Sequence, residues 1–420
     1  MRMKSGWVLL VLAPLLVVLD GCVNSNTVTN SGTGFMWVAT QGDQRVTPFT
    51  VNLSTGTVSQ VGSAVATGAQ PVAMVLTPDA KSLFVANRMD NTISSYGVNS
   101  DGSLTAQGTA VPTSSTLNGC TVNCGPVFGQ MPVALTVDPA SKFLFVADQG
   151  ASNDPNDLGA ISVFSISGST LTPVGPACPP NYSQSVCPVV VTDPNSTFGT
   201  GPSAIIASPA GNFLYVANQF NNSVSTFSYD NSGVLTQNPV PPVATGNNPS
   251  ALAFSRCAGI TTATTSCPTS DGNNLFVADS GSNQITVFAA CIQASATCGS
   301  PNGTLAPVSG SPFGAGVSPV AFIIHPTLNF VYAVDSKSNQ VSQYKYGSAT
   351  GALTPLTPAA ASSGSNPLAG GITSNGAWAF VTNNGGSTLT AFSVGVGGKL
   401  APAPTASIPL SGQPSAIVVR

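Results

Sequence analysis

Three observations predict that this 420-residue chain is an all-β protein, a seven-bladed β-propeller with four antiparallel strands in each blade. A short β-rich segment recurs seven times, the shortest spacing between repeats is 47 residues, and the two ends of the chain carry complementary parts of one repeat. Four strands in a repeat of roughly 40–50 residues are typical of propeller blades. The composition agrees, because the chain is rich in Val, Thr, Ser and Gly and contains no Glu.

The second strand of each repeat carries the clearest pattern, an aromatic residue followed by Val and Ala that ends in Asn or Asp in six copies. The copies are WVAT (37–40), FVAN (84–87), FVAD (145–148), YVAN (215–218), FVAD (276–279), YAVD (332–335) and FVTN (380–383). A third strand follows each copy, as in ISVF from Ile161 and ITVF from Ile285, and turns such as DGSLT (101–105) introduce the fourth strand. We expect the terminal Asn and Asp residues to form Asx-turns into the third strand.

The innermost strand of each repeat begins at a proline. These prolines are Pro71, Pro132, Pro202, Pro249, Pro319, Pro367 and Pro414, with spacings of 61, 70, 47, 70, 48 and 47 residues. The repeat region opens near Phe35 on a second-strand motif, whereas residues 414–420 form an innermost strand with no successor. The C-terminal strand is therefore predicted to complete the first blade and close a ring over residues 35–420.

The first 34 residues precede this domain and indicate export. Arg2 and Lys4 lead into an apolar run at 7–19, too short to span a bilayer. The run ends in Leu-Asp-Gly-Cys at 19–22, which resembles a bacterial lipobox, so residues 1–22 are predicted to be a signal peptide with Cys22 as the lipidated residue. An ordinary secretory signal with an incidental cysteine is the alternative. Residues 23–34 would be a flexible tether holding the domain at the bacterial cell envelope, in contact with the membrane only through lipid.

The eight remaining cysteines lie in four close pairs, which in an exported protein predicts four local disulfides. The pairs are Cys120–Cys124, Cys178–Cys187, Cys257–Cys267 and Cys291–Cys298. Zinc binding is the alternative, although no pair has the CxxC spacing. We expect no metal and no cofactor.

Charge and histidine content narrow the function classes further. A net charge of −3 with eleven basic residues does not favour nucleic acid. The one histidine, His325, excludes a histidine-rich metal site. It occupies the turn after an innermost strand where other repeats have Thr77, Asp138 or Ser208, so we expect a structural turn residue on the face opposite Arg88.

Long insertions predict the location of a ligand site. Residues 105–130, 148–159 and 172–201 all lie on one face around the third blade, where rigid scaffolds carry variable loops. The candidate binding residues are Asp148, Asn153, Asp154, Asp157 and, in the equivalent loop of the second blade, Arg88. This surface favours a neutral carbohydrate-like ligand, or an unidentified protein partner, bound by a monomer. Calcium binding by the Asp-rich loop, a solvated turn and tolerated length variation are the alternatives.

The repeats YVAN, PSALAF and GxLT resemble those of the YVTN-repeat and lactonase-type seven-bladed propellers, which include 6-phosphogluconolactonases and carboxymuconate-cyclising enzymes. The resemblance covers residues 35–420 and implies a lactone hydrolase. Lactonase members read GPRH at the innermost strand, where this chain reads QPVA, MPVA, GPSA, NPSA, SPVA, NPLA and QPSA. They read NE after the second strand, where this chain has no Glu. These departures favour a non-catalytic binding or scaffold module, with a sugar lactonase as the alternative.

Overall fold

A computed structural model describes residues 32–113, 129–150, 159–175, 189–190, 200–255, 273–294 and 298–420. It contains seven antiparallel sheets of four or five strands, arranged so that each innermost strand lies beside those of the two neighbouring blades. This confirms the seven-bladed propeller.

The four strand positions of the blades have the following bounds. The innermost strands are β5 (Pro71–Leu76), β10 (Pro132–Val137), β15 (Pro202–Ala207), β20 (Pro249–Phe254), β25 (Pro319–Ile324), β29 (Pro367–Ile372) and β33 (Pro414–Val419). The second strands are β1 (Thr33–Thr40), β6 (Ser82–Asn87), β11 (Phe143–Asp148), β16 (Phe213–Asn218), β21 (Asn274–Asp279), β26 (Phe330–Asp335) and β30 (Trp378–Asn383). The third strands are β2 (Arg45–Asn52), β7 (Thr92–Val98), β12 (Ala160–Ser167), β17 (Ser223–Tyr229), β22 (Gln284–Ala290), β27 (Gln340–Tyr346) and β31 (Thr388–Val394).

The outermost strand is continuous in the last two blades and consists of two short segments in the others. The segments are β3 (Val58–Gln60) with β4 (Val65–Ala66), β8 (Leu104–Ala106) with β9 (Val111–Pro112), β13 (Thr170–Val174) with β14 (Val189–Val190), β18 (Leu235–Gln237) with β19 (Val243–Ala244), and β23 (Leu305–Pro307) with β24 (Phe313–Gly314). The continuous strands are β28 (Leu353–Ser362) and β32 (Leu400–Pro409), and one 3-10 turn spans Asn384–Gly386. Every innermost strand begins at its predicted proline.

The ring closes through the C-terminal strand, as predicted. β33 pairs antiparallel with β1, and the backbones of Phe35 and Arg420 exchange two hydrogen bonds of 2.9 and 2.8 Å. β1 begins at Thr33, two residues earlier than expected. Thr33 and Gly34 belong to the strand and not to the tether, because β2 extends to Asn52 and supplies their pairing partners.

The hydrophobic core consists of seven separate clusters, and each fills the gap between two neighbouring blades. Hydrogen bonds also join neighbouring blades, since aromatic residues of a second strand donate to the third-to-fourth-strand turn of the next blade. The donors are Trp37 Nε1 to Gly102 (2.9 Å), the Tyr215 hydroxyl to Gly303 (2.9 Å), the Tyr332 hydroxyl to Gly398 (2.6 Å) and Trp378 Nε1 to Leu53 (2.9 Å). Each blade is therefore fixed to its neighbour by packing and by directed bonds.

We call the two ends of the central channel the upper and lower mouths. At the upper mouth, second strands turn into third strands and outermost strands lead to the next blade. At the lower mouth, innermost strands turn into second strands and third strands into outermost strands. His325, after β25, lies at the lower mouth and Arg88, after β6, at the upper mouth. The two residues lie on opposite faces, as expected.

Candidate functional site at the upper mouth

Seven structurally equivalent residues, one directly after each second strand, encircle the upper mouth. We call them the mouth ring: Gln41, Arg88, Gln149, Gln219, Ser280, Ser336 and Asn384. Each donates its backbone N–H, over 2.8–3.1 Å, to the carbonyl of the residue that precedes an innermost-strand proline. Because these hydrogen bonds involve only backbone atoms, the side chains of the ring vary without changing the blade.

The residues before the prolines have an unusual backbone. Five of the seven have φ between 51 and 60°, in the left-handed region that side-chain-bearing residues rarely adopt. They are Gln70, Met131, Asn248, Ser318 and Asn366. Four of these residues are held by the neighbouring blade. In each case an Asn Oδ1 of that blade accepts the backbone N–H of the residue before the proline. These bonds join Asn91 to Met131 (2.7 Å), Asn222 to Asn248 (2.8 Å), Asn283 to Ser318 (2.9 Å) and Asn339 to Asn366 (2.8 Å). The upper mouth is thus rigid, and strain of this kind is concentrated at functional sites.

The side-chain chemistry of the mouth ring is neutral except at Arg88. Four members carry amides and two carry hydroxyls, so the ring presents both hydrogen-bond donors and acceptors. Arg88 donates from Nη2 to Gln149 Oε1 over 2.8 Å, while its Nε is buried with no partner. Burial lowers the pKa of the Arg88 guanidinium below its ordinary value. The ring itself contains no carboxylate and no imidazole.

Large apolar side chains are exposed around the same mouth. Phe220, next to the ring member Gln219, is 57% exposed, and Met89 and Val317 are also exposed on this face. The Phe220 ring packs over Gly201, whose φ is 66° and whose added Cβ would lie 2.4 Å from the ring. Glycine at 201 therefore allows the aromatic ring to lie close to the backbone, with one of its faces toward solvent.

The predicted site residues occupy different positions. Asp148 is fully buried at the end of β11, where its Oδ2 accepts a 2.5 Å hydrogen bond from the Ser162 hydroxyl. It therefore lies beneath the mouth surface with its side chain inside the blade, and its ligand-binding role stays a prediction. Asn153, Asp154 and Asp157 lie outside the described residues, so their ligand-binding role stays a prediction. Of the two described residues in this set, Arg88 is the one at the mouth.

The Asx-turn interpretation of the second-strand termini is wrong. These Asn and Asp side chains are fully buried and bond across to the third strand, five or seven residues further on in five of the blades and fourteen residues further on for Asp148. Asn383, for example, donates to the hydroxyls of Thr388 (3.0 Å) and Thr390 (2.9 Å), and its Oδ1 accepts the Gly364 N–H (3.0 Å). The residues form a buried polar layer directly below the mouth ring.

Two carboxyl groups of this layer titrate at an unusual pH. Asp335 Oδ2 accepts the Ser342 hydroxyl (2.6 Å), and Asp279 Oδ2 accepts the Thr286 hydroxyl (2.6 Å). Burial raises the pKa of both aspartates to about 6, although these hydrogen bonds act in the opposite direction. Besides Asp148, the layer therefore contains two partly desolvated carboxyls at positions where three sibling blades have neutral Asn.

His325 performs the structural task expected of it. It is buried, its Nδ1 accepts the backbone N–H groups of Thr327 (3.2 Å) and Leu328 (3.0 Å), and its ring meets Phe330 edge-on. It lies directly against Gly376 of the next blade. The lower mouth beside it is largely aliphatic, with a cavity of about 450 Å³ lined by residues including Met74, Leu76, Phe322, Ile324, Ile372 and Val418.

Of the four predicted disulfides, the structure confirms Cys291–Cys298, which closes the third-to-fourth-strand turn of the fifth blade. The other three pairs, the signal peptide and Cys22 lie outside the described residues. Within the described ranges, no helix is long and apolar enough to cross a membrane. The same ranges contain no group of three or more His, Cys or acidic side chains arranged to hold a metal.

Sequence reasoning singled out Arg88 and noted that no Glu follows the second strand, but it did not recognise a ring. It missed Gln41, Phe220 and the residues before the prolines. The repeated proline was an available signal, because the residue before it and the residue after the second strand recur in every repeat.

Comparison with known proteins gives the family. The model of the family "Lactonase, 7-bladed beta-propeller" matches residues 24–120, 184–289 and 267–368, which together cover more than half of the chain. No curated protein matches the chain in sequence.

Similar solved structures have the same fold at low sequence identity. A candidate 6-phosphogluconolactonase from Bacteroides fragilis is 18% identical, with a TM-score of 0.69 over 93% of this chain and 99% of that one. The periplasmic gluconolactonase of Pseudomonas aeruginosa is 18% identical, with a TM-score of 0.65 over 92% and 99%. A candidate 6-phosphogluconolactonase from Bacteroides uniformis is 15% identical, with a TM-score of 0.67 over 92% and 99%. With its seven blades and its matched repeats, the chain belongs to the seven-bladed β-propeller lactonase family.

Proposed function

We propose that the protein is an exported, lipid-anchored propeller that binds a hydroxyl-rich carbohydrate at its upper mouth. The mouth ring carries this proposal, since six of its seven side chains are neutral amides or hydroxyls. Amides and hydroxyls can both donate to and accept from sugar hydroxyls. Gln41 and Gln219 form no side-chain hydrogen bond within the described structure, so their amides are available to a ligand.

Phe220 supports a carbohydrate over other neutral ligands. Its ring is more than half exposed and belongs to the residue next to Gln219, and an apolar ring on a polar mouth suits a pyranose, which has apolar C–H faces and polar edges. The backbone bonds and Asn bridges around the mouth hold these groups in place before binding. Such preorganisation reduces the entropy lost when a flexible sugar is bound.

The experiment is calorimetric titration of the protein with a panel of neutral oligosaccharides and methyl glycosides. We expect Phe220→Ala and Gln219→Ala each to weaken binding about fivefold, the effect of about 1 kcal/mol. Val396→Ala, which removes a 99% exposed apolar side chain on the lower face, is the matched control and should have no effect. Absence of binding across the panel, or equal loss in the Val396 variant, would reject the carbohydrate site.

Attachment through Cys22 is tested separately. Cys22→Ala should move the protein from the membrane fraction to the soluble fraction, because one residue supplies the proposed lipid attachment. Wild-type protein that is soluble with an unmodified N-terminus would contradict the anchor and leave the binding proposal intact.

Lactone hydrolysis is the second candidate function, favoured by family membership and by the gluconolactonase names of the similar structures. Hydrolysis needs a group that activates water, such as an imidazole, a carboxylate or a metal. The mouth ring carries neither an imidazole nor a carboxylate, and a shared fold does not establish a shared activity. Turnover of a sugar-lactone panel above the spontaneous rate by the wild-type protein would favour this function over pure binding.

A further inference from the structure

Arg88 differs from the other six members of the mouth ring because it brings a positive charge to a neutral surface. Its equivalents in the first, third and fourth blades are Gln41, Gln149 and Gln219, so the blade itself does not require arginine at this place. A guanidinium here costs desolvation, which is the sole cause of its lowered pKa. A negatively charged partner would offset this desolvation cost.

Within the described parts of the chain, no acidic side chain offsets the charge. The described residues place no carboxylate within 4.0 Å of the Arg88 guanidinium, and its side chain makes a single hydrogen bond, to the neutral Gln149 amide. Two acidic residues in the described parts of nearby upper loops are occupied elsewhere. Asp90 Oδ2 accepts the Ala69 N–H over 2.6 Å, and Asp43 accepts the hydroxyls of Thr40 and Ser411. The buried Nε of Arg88 has no acceptor among the described residues.

We propose that Arg88 binds the carboxylate of an acidic sugar, a hexuronic acid unit, within the carbohydrate site proposed above, on which this inference rests. A planar guanidinium can donate two parallel hydrogen bonds to the two oxygens of a carboxylate. The ring provides one positive charge, which balances a monoanion but not a phosphate dianion. Gln149, whose Oε1 is held by Arg88, keeps its amide N–H groups for a neighbouring sugar hydroxyl.

Matched pairs of ligands isolate the carboxylate, because a uronide differs from its parent glycoside only at C6. Calorimetric titration would compare methyl glucuronide with methyl glucoside and methyl galacturonide with methyl galactoside. We expect wild-type protein to bind at least one uronide about tenfold or more tightly than its neutral partner, as a charge-assisted hydrogen bond predicts. Sodium acetate should bind far more weakly than the uronide, because it lacks the hydroxyls.

Variants at two cationic positions assign the effect. Arg88→Gln should abolish the uronide preference, measured as the ratio of uronide affinity to neutral glycoside affinity. Arg88→Lys should keep part of the preference, since the charge remains but the two parallel hydrogen bonds are lost. Lys337→Gln removes the same charge from the exposed loop of the sixth blade and should leave the preference unchanged. Thermal denaturation confirms folding of each variant.

Each outcome is decisive. Equal binding of uronide and neutral glycoside by wild type, an undiminished preference in Arg88→Gln, or acetate that binds as tightly as uronide overturns this inference, while the carbohydrate site stands. Failure of both members of every pair to bind overturns the carbohydrate site and the inference together.

Discussion

The two mouths of the channel are built from opposite ends of the same seven innermost strands, yet they use their side chains differently. At the lower mouth, the residue after the innermost strand is occupied by its own turn: Thr77, Asp138, Ser208, Ser255, His325 and Thr373 all bond to nearby backbone. At the upper mouth, backbone bonds hold all seven members of the mouth ring, and the side chains of Gln41 and Gln219 make no further hydrogen bond within the described structure. In a propeller, side chains on one face can thus stabilise the turns while side chains on the other face are available to bind a ligand.

Deleting residues 414–420 should give the largest effect, because β33 contributes to both mouths and closes the ring. The neighbouring β1 would lose its pairing partner and become an exposed edge with apolar side chains. We expect a fall in Tm of roughly 10 °C or more, or aggregation. Differential scanning calorimetry measures this.

A circular permutant is the control for that deletion. It starts at Ser411 and joins Arg420 to Thr33 through a short turn, which is feasible because the Phe35 and Arg420 backbones are already paired. The permutant should melt close to wild type. If the truncated chain melts within a few degrees of wild type, the ring does not depend on β33.

Two glycines test whether the lower mouth is the more tightly constrained face. In Gly376→Ala the new Cβ would lie 2.4 Å from the buried His325 ring, and in Gly201→Ala it would lie 2.4 Å from the exposed Phe220 ring. Both positions have positive φ, which costs about 1–2 kcal/mol with alanine. We expect Gly376→Ala to be more destabilising by about 1–3 kcal/mol, since Phe220 can rotate into solvent and His325 cannot. Equal losses in urea denaturation would contradict the difference between the faces.

The buried polar layer between the mouths gives a pH-dependent prediction. The folded-state pKa of Asp335, about 6, exceeds the ordinary value of 3.8, so the folded protein binds more protons between these values and loses stability as pH rises through this window. Asp335→Asn, which copies Asn383, should stabilise the protein at pH 7.5 by up to about 3 kcal/mol.

At pH 4 the gain from Asp335→Asn should largely vanish, because the native aspartate is then protonated. Asp230→Asn, in an exposed turn, is the control and should show no such dependence. Denaturation curves at both pH values decide this; a gain of equal size at pH 4 and pH 7.5 would show that charge is not its cause.

The smallest expected effect is that of His325→Thr on ligand binding at the upper mouth. Threonine occupies the same place in two other blades, at Thr77 and Thr373, where it holds the equivalent turn. Affinity measured by calorimetry should stay within twofold of wild type. Loss of binding, or of any turnover, in this variant alone would link the two mouths and refute the division between them.

The sequence predicted the features that recur in every repeat, but it did not predict features that depend on contacts with adjacent strands or blades. The prolines and the C-terminal strand fixed the blade boundaries, because proline starts each innermost strand and the terminal motifs are complementary. The turn position of His325 followed from the same alignment of repeats. The burial of Asp148 did not, since it depends on where Ser162 lies in the adjacent strand. The mouth ring is likewise assembled from seven distant residues that meet only when the ring closes.

The seven separate core clusters imply that sequence change in this protein is insulated. A substitution in one gap between blades alters packing there and leaves the other six gaps untouched, so its cost should add to the costs of changes elsewhere with little coupling. Compensating substitutions can then accumulate in each gap independently of the other gaps. Proteins with this construction can diverge to the 15–18% identity found between this chain and the similar structures and keep the same circular frame throughout.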